Sequence, residues 1–234
     1  MSISDNVALA KRNIALAAEH AGRRAEDIYL VGATKMNDTA RVREAIAAGL
    51  PICGENRVQE LVQKNAEHAY DGAALHFIGH LQKNKVKHVV GTASLIHSVD
   101  SLELMDCIGH TAEARGLTQD ILLEVNIGAE EAKSGFAPED IPAALAHASA
   151  VKGIFVRGLM AIPPICADGE ENRPYFKLMN QLFIDNSEKK YDNVSMDFLS
   201  MGMSGDYMTA IDCGANMVRL GTAIFGARNY AKAD

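Results

Sequence analysis

The chain has 234 residues, a net charge of −7 and an ordinary globular composition, with 48% hydrophobic and 23% charged residues. This length fits one large α/β domain or two small ones, and it suffices to bury a core without disulfides or metals. The acidic balance, without a basic arm or an RNA-binding motif, excludes nucleic acid and anionic membranes as expected partners.

Residues 1–24 predict an amphipathic helix ahead of the first strand, with Ser4 or Asp5 as its cap and Gly22 at its end. The segment is charged throughout, unlike a signal peptide, and no apolar run in the chain is long enough to cross a bilayer. Four cysteines are scattered along the chain, without a C-x-x-C pair. We expect them to be reduced and mostly buried, which favours a cytoplasmic location.

Eight short apolar runs alternate with helical segments along the rest of the chain. Near-continuous apolar character is typical of parallel strands covered on both faces, and eight strands close a (β/α)8 barrel. We therefore predict an α/β fold in which residues 1–234 form one single-domain TIM barrel. An open doubly wound sheet is the alternative, but the first turn lacks the G-x-G-x-x-G pattern of dinucleotide-binding folds. The predicted strands are 28–35, 51–56, 74–80, 95–100, 120–128, 155–163, 197–203 and 217–226.

Polar side chains follow the predicted strands, at the barrel end where active groups usually lie. The first run, IYLVGATK, ends on Lys35. An amine among apolar residues has its charged form penalised, which leaves more of it free to attack a carbonyl carbon. A solvated lysine that simply ends a strand is the alternative. Other polar residues at strand ends are Glu55, Asn56, His80, His97, Asp100, Glu124 and Asn126.

Two segments near the carboxyl terminus predict one anion site. MGMSGD supplies Ser204 and flexible backbone amides, while RLGTAIFGAR places Gly221 and Thr222 at a turn where a helix can begin. Barrels commonly bind phosphate through the loops after strands 7 and 8, although ordinary turn chemistry also explains each segment. Combined with Lys35, a phosphate site predicts a phosphorylated aldehyde as ligand, and pyridoxal phosphate is the common one.

Arg219 lies on the last predicted strand and shares its parity with Gly221, so both positions face the same side of the strand. If this arginine faced a pyridine nitrogen, it could only donate a hydrogen bond, and the ring would remain a poor electron sink. An ion pair with Glu124 or another acidic residue is the alternative. His76 and His80 lie about 13 Å apart on an extended strand, so we expect no shared metal ion.

These motifs together resemble the YggS/PROSC family of pyridoxal phosphate homeostasis proteins. The resemblance covers residues 28–230 and rests, in order, on VGATK, GENRVQEL, LHFIGHLQKNK, VNIGAEEAKSGF, GLMAIPP, LSMGMSGDYMTAI and MVRLGTAIFGARNY. It implies a TIM barrel like the alanine racemase N-terminal domain, with Lys35 as the Schiff-base lysine and Arg219 near the pyridine nitrogen. The matching phosphate residues are Ser204, Gly221 and Thr222, and the positions that resemble other pocket residues are Asn56 and Met201.

The resemblance implies a carrier that binds, buffers and transfers pyridoxal 5′-phosphate to dependent apo-enzymes, without an established catalytic turnover. A monomer is expected. The racemases of this fold take a catalytic tyrosine from a second domain, for which a chain ending at Asp234 has no room. An amino-acid racemase with Lys35 as its single base is the alternative. A third reading is an aldolase-like barrel, in which Lys35 attacks a sugar phosphate directly.

Overall fold

The computed structural model of the protein describes residues 1–130, 134–164, 166, 168–188 and 190–227. Within these residues, eight parallel strands follow one another around a closed barrel, and β8 pairs with β1. The predicted (β/α)8 barrel is therefore confirmed. The strands are β1 Tyr29–Ala33, β2 Ile52–Glu55, β3 Ala74–Phe77, β4 Leu95–Val99, β5 Gln119–Val125, β6 Ile154–Ala161, β7 Val194–Ser200 and β8 Met217–Leu220.

Helices cover the outside of the barrel and bury their apolar stripes against the strands. None of the described helices is both long enough and apolar enough to cross a membrane. The helices are α1 Ile3–His20, α2 Thr39–Ala47, α3 Val58–Ala66, α4 Val86–Val89, α5 Leu102–Glu113, α6 Ile141–Ala148, α7 Arg173–Ser187, α8 Tyr207–Asp212 and α9 Thr222–Phe225.

The first helix begins earlier than the sequence predicts. Its N-cap is Ser2, whose hydroxyl accepts from the amide of Asp5 at 3.1 Å, while the Asp5 carboxylate accepts from the Ser2 amide at 3.0 Å. This reciprocal capping box gives hydrogen-bond partners to two backbone amides, which would lack them if the helix began at Ser4 or Asp5. The helix lies against α8 and α9, and the Asn6 side chain donates to the Ile224 carbonyl at 2.9 Å. It therefore supports the turn that follows β8.

The last predicted strand, 217–226, is half strand and half helix. The strand ends at Leu220, and Thr222–Phe225 forms α9 after a turn at Gly221. Apolar character alone cannot separate a buried strand from a buried helical turn, which explains the error. The turn places the start of α9 at the carboxyl end of the barrel.

The larger apolar cluster lies between the helices and the strands, and a smaller one fills the barrel interior. Polar side chains lie just beyond the smaller cluster. On three strands an interior apolar residue is followed, two positions later, by a polar one: Leu95 by His97, Leu122 by Glu124 and Met217 by Arg219. Side chains two residues apart on a strand share a face, so these polar groups lie toward the barrel axis. The interior cluster comprises Val31, Ala33, Ile52, Ile78, Leu95, Leu122, Met160 and Met217.

Candidate functional site

Lys35 lies two residues beyond β1, at the carboxyl end of the barrel, and is half-buried. The chain turns sharply here: the Asn37 amide donates to the Thr34 carbonyl at 3.1 Å, and Met36 adopts φ 60°. The Asn37 side chain also donates to the Lys35 carbonyl at 3.1 Å. The turn thus fixes the Lys35 backbone above the open barrel end.

A buried ion pair lies next to this turn. Glu55 ends β2 without solvent exposure, and its Oε2 accepts from Lys64 Nζ at 2.9 Å, from Thr34 Oγ1 at 3.0 Å and from the Tyr70 hydroxyl at 3.1 Å. Lys64 Nζ also donates to the Thr34 carbonyl at 2.9 Å. Burial beside Glu55 raises the pKa of the Tyr70 hydroxyl well above its ordinary value. Glu55, predicted as a polar strand end, is thus a structural partner that joins β1, β2 and α3.

Lys35 lines a cavity of about 240 Å³ together with Gly221 and Thr222. The structure therefore brings the predicted amine and part of the predicted anion site to one place. Arg41, which the sequence did not single out, also lines it. Its Nε donates to Asn37 Oδ1 at 3.0 Å, and its Nη2 donates to the Phe225 carbonyl, so it ties the β1 turn to the end of α9.

Ser204 joins the two halves of the predicted anion site. Its Oγ accepts from the backbone amides of Gly221 at 3.1 Å and Ala223 at 3.2 Å. Since both lone-pair positions of the hydroxyl are in use, its proton remains to be donated to a further acceptor. Ser204 and Thr222 line a neighbouring cavity of about 470 Å³, which lies beside α1.

Asp206, the last residue of the MGMSGD segment, shapes the loop that carries Ser204. It is buried, its Oδ1 accepts from the Met203 amide at 2.6 Å, and its Oδ2 accepts from Asn172 Nδ2 at 2.9 Å. These bonds close a tight turn between β7 and α8. Only its position in the MSGD motif pointed to it, because a carboxylate that bonds its own loop has no periodic signature.

Arg219 is buried, with 4% of its surface exposed. Its guanidinium donates hydrogen bonds to two neutral groups. Nη1 donates to Ser200 Oγ at 2.6 Å, and Nη2 donates to the Ala161 carbonyl at 2.9 Å. No ion pair joins it to Glu124, both residues lying in the described part of the chain. Burial lowers the pKa of Arg219 to about 10, and the Glu124 and Asp206 carboxylates oppose that shift. The guanidinium therefore stays charged at neutral pH.

Asn56 and Glu124 line a third cavity, of about 300 Å³, over the other side of the barrel end. Asn56 Oδ1 is buried and has no hydrogen-bond partner among the residues that the structure describes, which leaves an acceptor for a ligand. Burial raises the pKa of the Glu124 carboxyl to about 7; the Asp100 charge adds to the shift and the Arg219 charge opposes it. Met201 is placed differently: it is fully buried in the outer core and lines none of these cavities.

The raised pKa of Glu124 predicts a pH effect on stability. Because the folded-state pKa of about 7 exceeds the ordinary 4.5, folding favours the protonated carboxyl. Its contribution is fully present below about pH 4.5 and is lost as the pH rises through 7. Relative to Glu124→Gln, the wild-type free energy of unfolding should fall by about 2–3 kcal/mol across this window.

Urea unfolding of both proteins at the two ends of the window measures this difference. Glu113→Gln, which changes an exposed carboxylate on α5, is the matched control and should follow the wild type. Parallel pH profiles for wild type and Glu124→Gln would show that Glu124 titrates normally.

The comparisons with known proteins agree with this geometry. Residues 6–229 match the family model of the alanine racemase N-terminal domain. A protein of Aquifex aeolicus named pyridoxal phosphate homeostasis protein is 40% identical over 98% of this chain and 100% of its own length. A protein of the same name from Pseudomonas aeruginosa is 39% identical over 98% of this chain and 97% of its own length.

A solved structure is similar as well. PipY of Synechococcus elongatus, crystallised with PLP bound, superposes with a TM-score of 0.78 at 31% identity, over 91% of this chain and 100% of PipY. The agreement covers the whole barrel and not a local motif. The chain therefore belongs to the pyridoxal phosphate homeostasis protein family, built on the alanine racemase N-terminal domain barrel.

Proposed function

We propose that this protein binds pyridoxal 5′-phosphate at the carboxyl end of the barrel, attaches it through Lys35, and serves the homeostasis of this cofactor. One observation carries the proposal: Lys35 and the amide-bearing turn at Gly221 and Thr222 line the same cavity. PipY, which has PLP bound, and the relatives named for PLP homeostasis support it.

The residues present fit the phosphate of the cofactor. Ser204 Oγ accepts from the Gly221 and Ala223 amides, which leaves its hydroxyl proton and the Thr222 hydroxyl as donors for a phosphate at the β8–α9 turn. A Cβ added to Gly221 would meet nothing closer than Ala33 at 3.6 Å, so packing does not require glycine at this position. Backbone amides and hydroxyls are the usual partners of phosphate in proteins.

The other side of the barrel end fits the ring. Arg219 carries a guanidinium that only donates, and Asn56 offers an acceptor that has no partner within the described part of the chain. When bound, the cofactor supplies an aldehyde that condenses with primary amines. An arginine that faced the ring nitrogen would only donate to it and would leave that nitrogen unprotonated, which would weaken electron withdrawal by the ring. This favours a carrier that binds and releases the cofactor over a racemase that uses Lys35 as a single base.

The carrier acts in the cytoplasm as a monomer and transfers its cofactor to dependent apo-enzymes. The four cysteines are free thiols, which supports a reducing compartment. Light scattering after gel filtration measures the mass in solution, and a mass of twice 25.2 kDa would contradict the monomer.

The phosphate site predicts a selective loss of affinity. Ser204→Ala removes one hydroxyl donor and the acceptor that orders the two amides, so we expect affinity for pyridoxal 5′-phosphate to fall about tenfold. Affinity for pyridoxal, which lacks the phosphate, should not change. Equilibrium binding of both ligands to wild type and variant measures this, with the exposed Ser187→Ala as control. Equal wild-type affinities for the two ligands would exclude a phosphate site here.

A further inference from the structure

Four polar side chains form a continuous hydrogen-bonded series through the barrel interior. His76 Nδ1 lies 3.0 Å from His97 Nε2, His97 Nδ1 lies 3.1 Å from Ser200 Oγ, and Ser200 Oγ accepts from Arg219 Nη1 at 2.6 Å. Each of the four is buried. His97 belongs to β4 and Ser200 to β7, strands that do not pair, so the contact crosses the barrel axis.

The chemistry of the donors fixes the direction of this series. Arginine only donates, so the Ser200 hydroxyl must accept from it. The hydroxyl proton then needs an acceptor, and His97 Nδ1 is the remaining partner of Ser200 Oγ among the described residues. With Nδ1 accepting, His97 carries its proton on Nε2 and donates it to His76 Nδ1. The opposite direction would leave the Ser200 proton buried without a partner, at a cost of about 1–3 kcal/mol.

Electrostatics agree with two neutral imidazoles. Burial holds the pKa of His97 well below its ordinary value, and the charges of His76 and Arg219 add to this. Burial lowers the pKa of His76 to about 4. A neutral His97 can accept at Nδ1, whereas a charged one could only donate.

The series determines where the guanidinium points. One anchor of Arg219 is the Ala161 carbonyl of β6, which the backbone holds, and the other is the Ser200 hydroxyl, which can rotate. His97 is the group that prevents this rotation. Two fixed anchors on Nη1 and Nη2 set the plane of the guanidinium, and its remaining N–H groups are those available to a ligand.

We propose that Ser200 and His97 are positioning residues that hold Arg219 toward the ring nitrogen of the bound cofactor and so set the electronic state of that ring. This inference rests on the proposed function, because it assigns the ligand of Arg219. Neither residue lines the cavity that Lys35 shares with Gly221 and Thr222.

The first test uses the unloaded wild-type protein. Two-dimensional ¹H–¹⁵N NMR of the imidazole rings at neutral pH should show His97 protonated at Nε2 and unprotonated at Nδ1. A proton on His97 Nδ1 would overturn the proposed direction. This measurement does not depend on cofactor binding, so it stands even if the proposed function fails.

The second test uses paired variants at one position. His97→Leu removes the acceptor for Ser200, whereas His97→Asn places an amide oxygen near the position of Nδ1. We expect His97→Leu to shift the absorption maximum of the bound cofactor and to weaken its affinity about five- to tenfold. His97→Asn should restore most of both, and melting temperatures check that each variant folds.

The outcomes separate the two proposals. If the wild type takes up no pyridoxal phosphate on Lys35, the proposed function fails. If wild type and His97→Leu both take it up with the same spectrum and affinity, the function stands and the positioning role fails. A changed spectrum that His97→Asn does not restore would reduce the cluster to a packing role and would also overturn the inference.

Discussion

Lys35→Ala is expected to abolish covalent attachment of pyridoxal phosphate completely while leaving reversible binding. The substitution removes the amine that shares a cavity with the β8–α9 turn, but it leaves Ser204 and the two amides it orders. Since a phosphate-binding contact contributes without the lysine, the variant should still prefer pyridoxal phosphate over pyridoxal. Mass spectrometry of the reduced protein measures the adduct, and equilibrium dialysis measures the affinity.

Lys83→Ala is the matched control, because Lys83 is an exposed lysine on the loop that follows β3. It should retain both the adduct and the affinity. An adduct of undiminished yield on Lys35→Ala would place the reactive amine elsewhere. Complete loss of reversible binding would show that the phosphate contacts contribute little without the lysine.

Lys64→Met is expected to lower the free energy of unfolding by about 3–5 kcal/mol. Lys64 lies in the core beside a carboxylate without solvent exposure, and methionine leaves the Glu55 charge buried and uncompensated. The Thr34 carbonyl also loses its contact with Nζ, so the turn that carries Lys35 should loosen and the yield of adduct should fall. Urea unfolding followed by circular dichroism measures the stability.

The exposed Lys177→Met on α7 serves as control and should change stability by less than about 1 kcal/mol. Adding Glu55→Gln to Lys64→Met should recover part of the loss, because the neutral amide removes the uncompensated charge. If Lys64→Met lowered the free energy of unfolding no more than the control does, water would have to reach the Lys64–Glu55 pair.

The barrel could be predicted because its signal repeats along the chain. Each strand is a short apolar run, and the polar residues after it mark the functional end of the barrel. The end of a strand is harder to predict where apolar residues continue beyond it. The predicted strand 217–226 contains both β8 and α9. The same ambiguity placed Lys35 at the end of a strand, although it lies two residues beyond β1.

The network around the site could not be predicted, because it depends on which elements meet. Lys64 follows Glu60 by one helical turn and resembles an ordinary surface pair, yet its Nζ is buried against Glu55 and Thr34. The alternation of side chains along a strand could have placed His97 in the barrel interior, because it follows the interior residue Leu95 by two positions. Its contact with Ser200 is set by barrel closure, which brings β4 and β7 across from one another.

The measurement that tests the account most directly is borohydride reduction of the purified protein after incubation with pyridoxal phosphate, followed by peptide mass mapping. We expect a single phosphopyridoxyl adduct, on Lys35, which would establish the cofactor and the attachment site together. An unmodified Lys35 in the presence of excess cofactor, or an adduct spread over several exposed lysines, would contradict the proposed site.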